Sequence, residues 1–265
     1  MVISKKSTMS AVVYTLLLFC VSAVLITKMF CVPMGATYAN PIKNPCNRAE
    51  EDELSVQEIM ENEIFLSLRL KDKDIVYFHF SGHGQLITDI NGDEGNKGWD
   101  ESLIPYDADF EYRDDFYKGE KHIVDDELNE WLTLLKNKIG NRGKLIVVLD
   151  ACHSGGGSRY ETDDNIIIRG VNERFILPQP TEVLTTYPNE IRWVCISACK
   201  WVQSNEEYLG YGRLSYTLNK VYDKSLTIEQ LESAIELQYD KMPKKNSLPQ
   251  EPLVEYNCSP SETIM

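Results

Sequence analysis

Two short stretches carry side chains that could do chemistry together. "YFHFSGHG", Tyr77 to Gly84, closes an apolar run on His83. "VVLDACHSGG", Val147 to Gly156, closes another on Cys152. A thiol with a pKa of ~8.5 is mostly protonated at neutral pH, and an imidazole within reach turns it into a working nucleophile. His153 is next in sequence, but neighbouring side chains at a strand end point to opposite sides, so it is poorly placed to serve Cys152. His83, at the end of a different strand, can approach it. Attack on a carbonyl builds an oxyanion, which needs backbone N–H donors that no side chain obstructs. Gly84 and the amide of Cys152 itself are the natural donors, and Gly155 to Gly157 let the following loop turn away. A lone Cys beside glycines would read as a buried thiol. Two matching motifs, His then Cys, favour a Cys–His hydrolase.

The elements that must hold these residues are legible as an alternation. Residues 47–73 carry helix formers, with Leu54, Ile59, Ile64 and Leu68 on one broad face. "DIVYFHF", 74–80, is β-branched and aromatic and reads as a strand. Residues 85–123 read as a polar, Gly-rich connection. Residues 124–140 open with acids and place Leu128, Leu132 and Leu135 on one face, with Gly140 as a stop. Strands follow over 144–150 and 191–199, separated by a long polar segment, and an amphipathic helix is expected over 226–242. The predicted fold is α/β: a mainly parallel central sheet with helices on both faces, three layers deep. In such sheets function gathers beyond the carboxyl ends of the strands, where both motifs lie.

The charge balance narrows the partners. Forty-one acidic side chains against 27 basic ones give a formal net charge of −14, which repels phosphate backbones and argues against nucleic acid. A basic substrate or a divalent cation is compatible with it. The seven Cys show no paired framework, so disulfides are not expected. "AVVYTLLLFCVSAVLI", Ala11 to Ile26, carries no charge and follows Lys5 and Lys6. That pattern reads as a membrane-targeting segment, either an anchor or a cleaved signal, with a buried element as the alternative. The expected organisation is a targeting segment over 1–32, a catalytic domain over 33–242 and an irregular tail over 243–265. The localisation expected is membrane-anchored or secreted if residues 1–32 act so, and cytoplasmic otherwise.

The two motifs resemble those of the caspase-like cysteine peptidases, and most closely the metacaspases. The His and Cys are 69 positions apart here, against about 50 in the caspase signature. Between them, "DEGNKGWDESLIPYDA" and "IVDDEL" are similar to an acidic loop and helix start of metacaspases; beyond them, "VCISACKWVQSNEEYLGYGRLSYTL" is similar to a further strand and the Gly-rich approach to a helix. The resemblance implies a monomeric peptidase domain acting on peptides or proteins. It makes His83 the general base and Cys152 the nucleophile. Ser81 and Asp150 would line the pocket for the residue before the scissile bond, with cleavage after Arg or Lys. Asp100, Asp125 and Asp126 would match calcium-binding carboxylates. No organic cofactor is implied.

Two departures stand out. The chain before the His strand is short for the family. Arg48 also stands where the "CNRAEED" stretch would offer an acidic pocket residue. The competing expectation is therefore a catalytically impaired, membrane-tethered caspase-like binding module.

Overall fold

The computed structural model describes the strand backbone of residues 13–20 and 23–31, and residues 70–94, 98–105, 108–152, 168–171, 173–178, 192–200, 203–243 and 249–264. Its centre is a six-stranded sheet of order β1-β2-β3-β7-β8-β11. The strands are β1 (Val13–Cys20), β2 (Ala23–Cys31), β3 (Ile75–Ser81), β7 (Lys144–Asp150), β8 (Val194–Ser197) and β11 (Leu253–Glu255). β2, β3, β7 and β8 run parallel, whereas β1 and β11 join the two edges antiparallel. β4 (His83–Thr88), β5 (Trp99–Ile104) and β6 (Ile123–Val124) form a separate antiparallel sheet. The helices are α1 (Asp125–Ile139), α2 (Arg213–Val221) and α3 (Ile228–Lys241), and β9 (Glu207–Tyr208) and β10 (Tyr211–Gly212) form a small hairpin before α2.

The apolar runs of β3 and β7 follow from burial on both faces. Val76, Phe78 and Phe80 of β3, with Leu145 and Val147 of β7, pack on one face against Leu128, Leu132, Leu135 and Ile139 of α1. Ile75, Ile146, Val148 and Ile196 face the other way, onto Leu214 and Leu218 of α2 and Leu231 and Ile235 of α3. Helices on both faces of a mainly parallel sheet give the expected three layers.

Local signals fix the helix ends. Asp125, Asp126 and Glu127 fill the first turn of α1 and Lys136 and Lys138 the last, each sign complementing the dipole there. Gly140 ends the helix at φ 69°, a conformation that costs glycine little. Thr227 and Gln230 form a reciprocal capping box at the start of α3.

Three expectations need revision. Residues 85–123 are not a plain connection, because they supply β5, β6 and the rest of β4. The tail after 243 is not irregular throughout, because β11 extends the sheet edge beside β8 and Ile264 is buried. The uncharged run Ala11–Ile26 supplies β1 and the start of β2, and two strands therefore precede the His-bearing stretch. Among the described residues no helix is long and apolar enough to cross a membrane. The helix expected over 47–73 falls almost wholly outside the described residues, as do Arg48, His153 and Gly155 to Gly157.

Candidate active site

β3 and β7 are hydrogen-bonded neighbours in register, so Ser81 lies opposite Asp150 at their common end. Gly82 N–H donates to the Asp150 carbonyl at 3.2 Å, which ties the two exits together. From there the chains diverge by one residue each. His83 becomes the first residue of β4, and Cys152 follows β7 by two positions. The next residue, Gly84, lies against Cys152. A Cβ on Gly84 would stand 2.2 Å from the Cys152 carbonyl oxygen, a distance no side chain can occupy. The "HG" pair is thus a close backbone approach that carries His83 to Cys152.

His83 is 5% exposed. Burial, then the positive charge of Arg169, lowers its pKa to about 4, with a backbone hydrogen bond at Gly170 acting the other way. The imidazole is therefore neutral near pH 7 and has a lone pair with which to accept a proton. Cys152 is buried, and its thiol donates to the Gln203 carbonyl at 3.3 Å, an oxygen that the Cys199 thiol shares at the same distance. Cys199 is held firmly as a neutral thiol by its contact with Cys152 and by burial.

A third segment completes the site. Residues 168–171 thread between β4 and the chain at Asn205–Glu206. Arg169 N–H donates to the Asn205 carbonyl at 2.8 Å, and Val171 N–H to the Gly84 carbonyl at 2.9 Å. Ile168 bridges Glu206, and Gly84 bridges Gly170. The carbonyl of Arg169 accepts from the N–H of Cys152 at 2.7 Å. Of the two amides expected to meet an oxyanion, that of Cys152 meets the Arg169 carbonyl, and Gly84 lies alongside, bridged to the next residue, Gly170.

The Arg169 side chain enters a pocket beneath this point and is 2% exposed. Nη1 donates to Ser81 Oγ at 2.7 Å, and Nη2 lies 3.2 Å from Glu207 Oε1. Asp150, fully buried, forms the pocket's frame. Its Oδ1 accepts from Asn205 Nδ2 at 2.8 Å and its Oδ2 from Ser215 N at 2.7 Å. A Cβ on Gly212 would lie 2.0 Å from Asp150 Oδ2, so only glycine fits at the end of the β9–β10 hairpin. His79 also faces this region: it bonds Ser215 Oγ at 2.9 Å, and its pKa is lowered by burial, with Asp150 opposing and Arg169 assisting.

Of the residues singled out from sequence, His83, Gly84, Cys152, Ser81 and Asp150 all converge here. Arg169 and Glu207 were not foreseen. Glu207 had one faint signal, an acid pair in "NEEYLGYG" just before a Gly-rich turn. Arg169, in a polar stretch without periodicity, had none. His122 lies in the loop just before β6 and is buried there: Nδ1 lies 2.8 Å from the Tyr117 hydroxyl and Nε2 3.0 Å from Gln85 Oε1.

The acids expected to hold a metal lie apart from the thiol, around the start of β5. Carboxylate oxygens of Asp89, Asp93 and Asp100 lie within 4.8 Å of one another. Asp100 is 2% exposed. Burial, and then repulsion from Asp125, Asp89, Asp126 and Asp93, pushes its pKa up to about 8. Asp126 accepts from Asn91 of the same loop. Asp125, at the exposed start of α1, contributes through its charge. Asp89 and Asp93 therefore join the set read from sequence.

A family model described as the metacaspase, peptidase C14 domain matches residues 20–158, just over half of the chain. The chain belongs to this metacaspase family. The match begins inside the uncharged N-terminal run, so the part of that run from residue 20 belongs to the metacaspase domain. Curated metacaspases are similar over shorter spans. Metacaspase-3 of Arabidopsis thaliana is 41% identical over 83 residues, covering 31% of this chain and 19% of that protein. Metacaspase-2 of the same plant is 40% identical over 91 residues, 34% of this chain and 19% of the relative. Metacaspase-1A of Aspergillus oryzae is 35% identical over 85 residues, 32% and 17% respectively. The matched span is under a fifth of these relatives' length. Among solved structures, a Geobacter sulfurreducens protein is similar at a TM-score of 0.48 and 19% identity, over 76% of this chain and 72% of that one.

Proposed function

We propose that this chain is a thiol endopeptidase that cuts peptide bonds after a basic residue, Arg or Lys, through Cys152 and His83. The observation that carries this reading is a cationic side chain seated between Ser81 Oγ and Glu207 Oε1, directly below the point where the Cys152 amide meets a backbone carbonyl. An acidic, water-poor pocket selects a guanidinium or ammonium strongly, because a neutral side chain would leave its carboxylate unpaired. Glu207 supplies an acid to this pocket.

The steps follow from the groups present. His83, neutral, takes the proton of the Cys152 thiol, and the thiolate attacks the carbonyl carbon after the basic residue. The resulting oxyanion accepts from the N–H groups of Cys152 and Gly84. The carbon–nitrogen bond breaks as His83 returns the proton to the leaving amine. Water, activated by His83, then hydrolyses the thioester and frees Cys152.

The acidic cluster suits calcium. Its donors are all hard oxygens, and one of them, Asp100, is buried among like charges that a cation would neutralise. Asp89, Asp93, Asp100 and Asp126 would hold the ion, with Asp125 nearby. The ion would supply positive charge that orders the loop between β4 and β5.

The experiment is hydrolysis of short reporter peptides ending in Arg, Lys or Asp, with calcium or chelator, by the parent and by Cys152→Ala. Cleavage after Arg and Lys that vanishes in Cys152→Ala is expected. Cleavage that survives the substitution would remove Cys152 from the mechanism. Well-folded parent protein that cuts none of the peptides would favour the binding-module reading.

A further inference from the structure

We propose that a cavity at the opposite end of the central sheet from Cys152 binds a small organic phosphate. The site is separate from the peptidase centre, and its occupancy does not depend on the peptidase reading. The cavity holds about 570 Å³, within the range of small-molecule sites. Its floor is formed where β7 and β8 begin, by Lys144 to Ile146 and by Trp193 and Val194. Cys152 follows the other end of β7, and the seven residues of that strand set the two sites about 20 Å apart. Lys136 from the last turn of α1 and Ile228 from the start of α3 stand over the floor, and the tail around 257–264 closes the far side. That tail is fixed in place. Ile228 N–H donates to the Glu262 carbonyl at 3.0 Å, and Ile264 N–H to the Leu226 carbonyl at 2.9 Å. Four segments distant in sequence therefore build the cavity, and only the folded chain contains it.

Its charge runs against that of the chain. Four basic side chains line it, Lys136, Arg142, Lys144 and Arg192, against one acid, Glu262, whereas the whole chain carries 41 acids against 27 bases. Three of the four are held by neutral oxygens. Lys136 Nζ donates to the Gly140 and Gly143 carbonyls at 3.2 and 2.6 Å. Lys144 Nζ donates to the carbonyl and the hydroxyl of Thr263, and Arg192 Nη1 to Asn137 Oδ1 at 2.9 Å. Such bonds orient a cation without cancelling its charge. Among the described residues, Arg142 is the one of the four in an ion pair, with Asp72. The cations repel one another as a result: burial, then Arg192, holds Lys136 below its ordinary pKa, with Cys258 and Glu262 opposing. A lysine that caps its own helix end explains Lys136. It does not explain why Lys144 and Arg192, from the entries to two strands, meet it at one cavity. An anion between them would offset the repulsion. Phosphate suits the arrangement, because its several oxygens accept from ammonium and guanidinium donors that approach from different sides. Trp193, Ile228 and Ile264 line the same cavity, so the ligand carries an apolar body beside its anionic head. A long phosphate backbone would meet the rest of a surface charged at −14, and a small molecule avoids it.

The test is isothermal titration calorimetry and thermal unfolding of the full chain, without calcium, against inorganic pyrophosphate and adenosine diphosphate. The parent is compared with Lys144→Gln, Arg192→Gln and, outside the cavity, Lys220→Gln, each first shown by circular dichroism to be folded. Both probes should bind the parent at one site per chain and raise its melting temperature. Adenosine diphosphate should bind more tightly, since it also covers the apolar wall. Lys144→Gln and Arg192→Gln should each weaken both probes by about tenfold or more, and Lys220→Gln should match the parent. Arg192→Gln keeps the Lys144–Thr263 contact, so it tests the site even where loss of that contact unfolds the tail. Neither probe binding at millimolar concentration would overturn the proposal. So would binding that folded Lys144→Gln and Arg192→Gln retain in full, because the anion would then sit elsewhere. Pyrophosphate bound more tightly than adenosine diphosphate would overturn the organic ligand.

Discussion

Gly84 and Cys152 touch through their backbones: a methyl group on the Gly84 Cα would lie 2.2 Å from the Cys152 carbonyl oxygen and 3.2 Å from that of Ser102. The contact joins the small antiparallel sheet to the end of the central one, and it sets where His83 stands relative to the thiol. Two carbonyls already press on the position, so an added carbon can be accommodated only by moving backbone. Gly84→Ala is expected to destabilise the protein by about 1–3 kcal/mol, as overpacking does, and to lower reporter hydrolysis far more than that loss alone explains. The check is urea unfolding alongside turnover at a temperature where the variant is fully folded. Wild-type turnover in folded Gly84→Ala would show that the approach is not needed for catalysis.

Glu207 should decide how strongly a basic residue is read. It is the carboxylate 3.2 Å from the buried guanidinium, and both partners are nearly inaccessible, at 2% and 7% side-chain exposure. Hydrogen bonds to charged groups are worth about 1.5–3 kcal/mol, which is roughly ten- to a hundredfold in kcat/KM for a peptide ending in Arg. Glu207→Gln is expected to lose that much, mainly through KM. Ser81→Ala, which removes one hydroxyl, should lose less. Unchanged kcat/KM in Glu207→Gln would take this residue out of the pocket.

These two residues also show what the sequence made legible. His83 and Cys152 stood out because each ends a run of apolar residues buried on both faces of a sheet, and such runs announce strands. The leucines of α1 announced a helix by their spacing. β5 gave no such signal, because "WDESLI" mixes acids with apolar residues in a strand six residues long. β11 has three residues, too few for any periodicity. Arg169 and Glu207 acquire their meaning only from the tertiary fold. An arginine in a polar stretch reads as solvated surface until the chain is seen to bury it beside a thiol.

Acid should weaken the fold through its buried imidazoles. His83 and His122 both have pKa values lowered to about 4 from 6.5, in each case first by burial. Because the folded form resists protonation, the unfolded chain takes up the extra protons as pH falls from 6.5 towards 4. Stability is therefore full above about pH 6.5, declines through that window and levels off below it, by ~3 kcal/mol per histidine. Neutral His122 is well served, accepting at Nδ1 from Tyr117 and donating at Nε2 to Gln85. Unfolding free energies at neutral pH and at about pH 5 should differ clearly in the parent and by less in His122→Phe. A flat profile across the window would show that neither imidazole resists protonation in the fold.

Calcium and a neutralising substitution should act on the acidic cluster in instructive ways. Asp100 is buried and repelled by four other aspartates. Without a cation, Asp100→Asn relieves that repulsion and should raise the melting temperature. With calcium, the parent should gain about 2.7 kcal/mol at a hundredfold excess over Kd, whereas Asp100→Asn, short of one charged ligand, should gain much less. The two curves therefore change order: the variant melts higher in chelator, and the parent gains more from the ion. Differential scanning calorimetry in calcium, in magnesium and in chelator separates the effects, since magnesium's stricter octahedral demand suits a loop of flexible carboxylates less well. Identical melting of the parent in calcium and in chelator would leave the cluster as a repulsive patch whose burial of Asp100 has to be explained by packing alone.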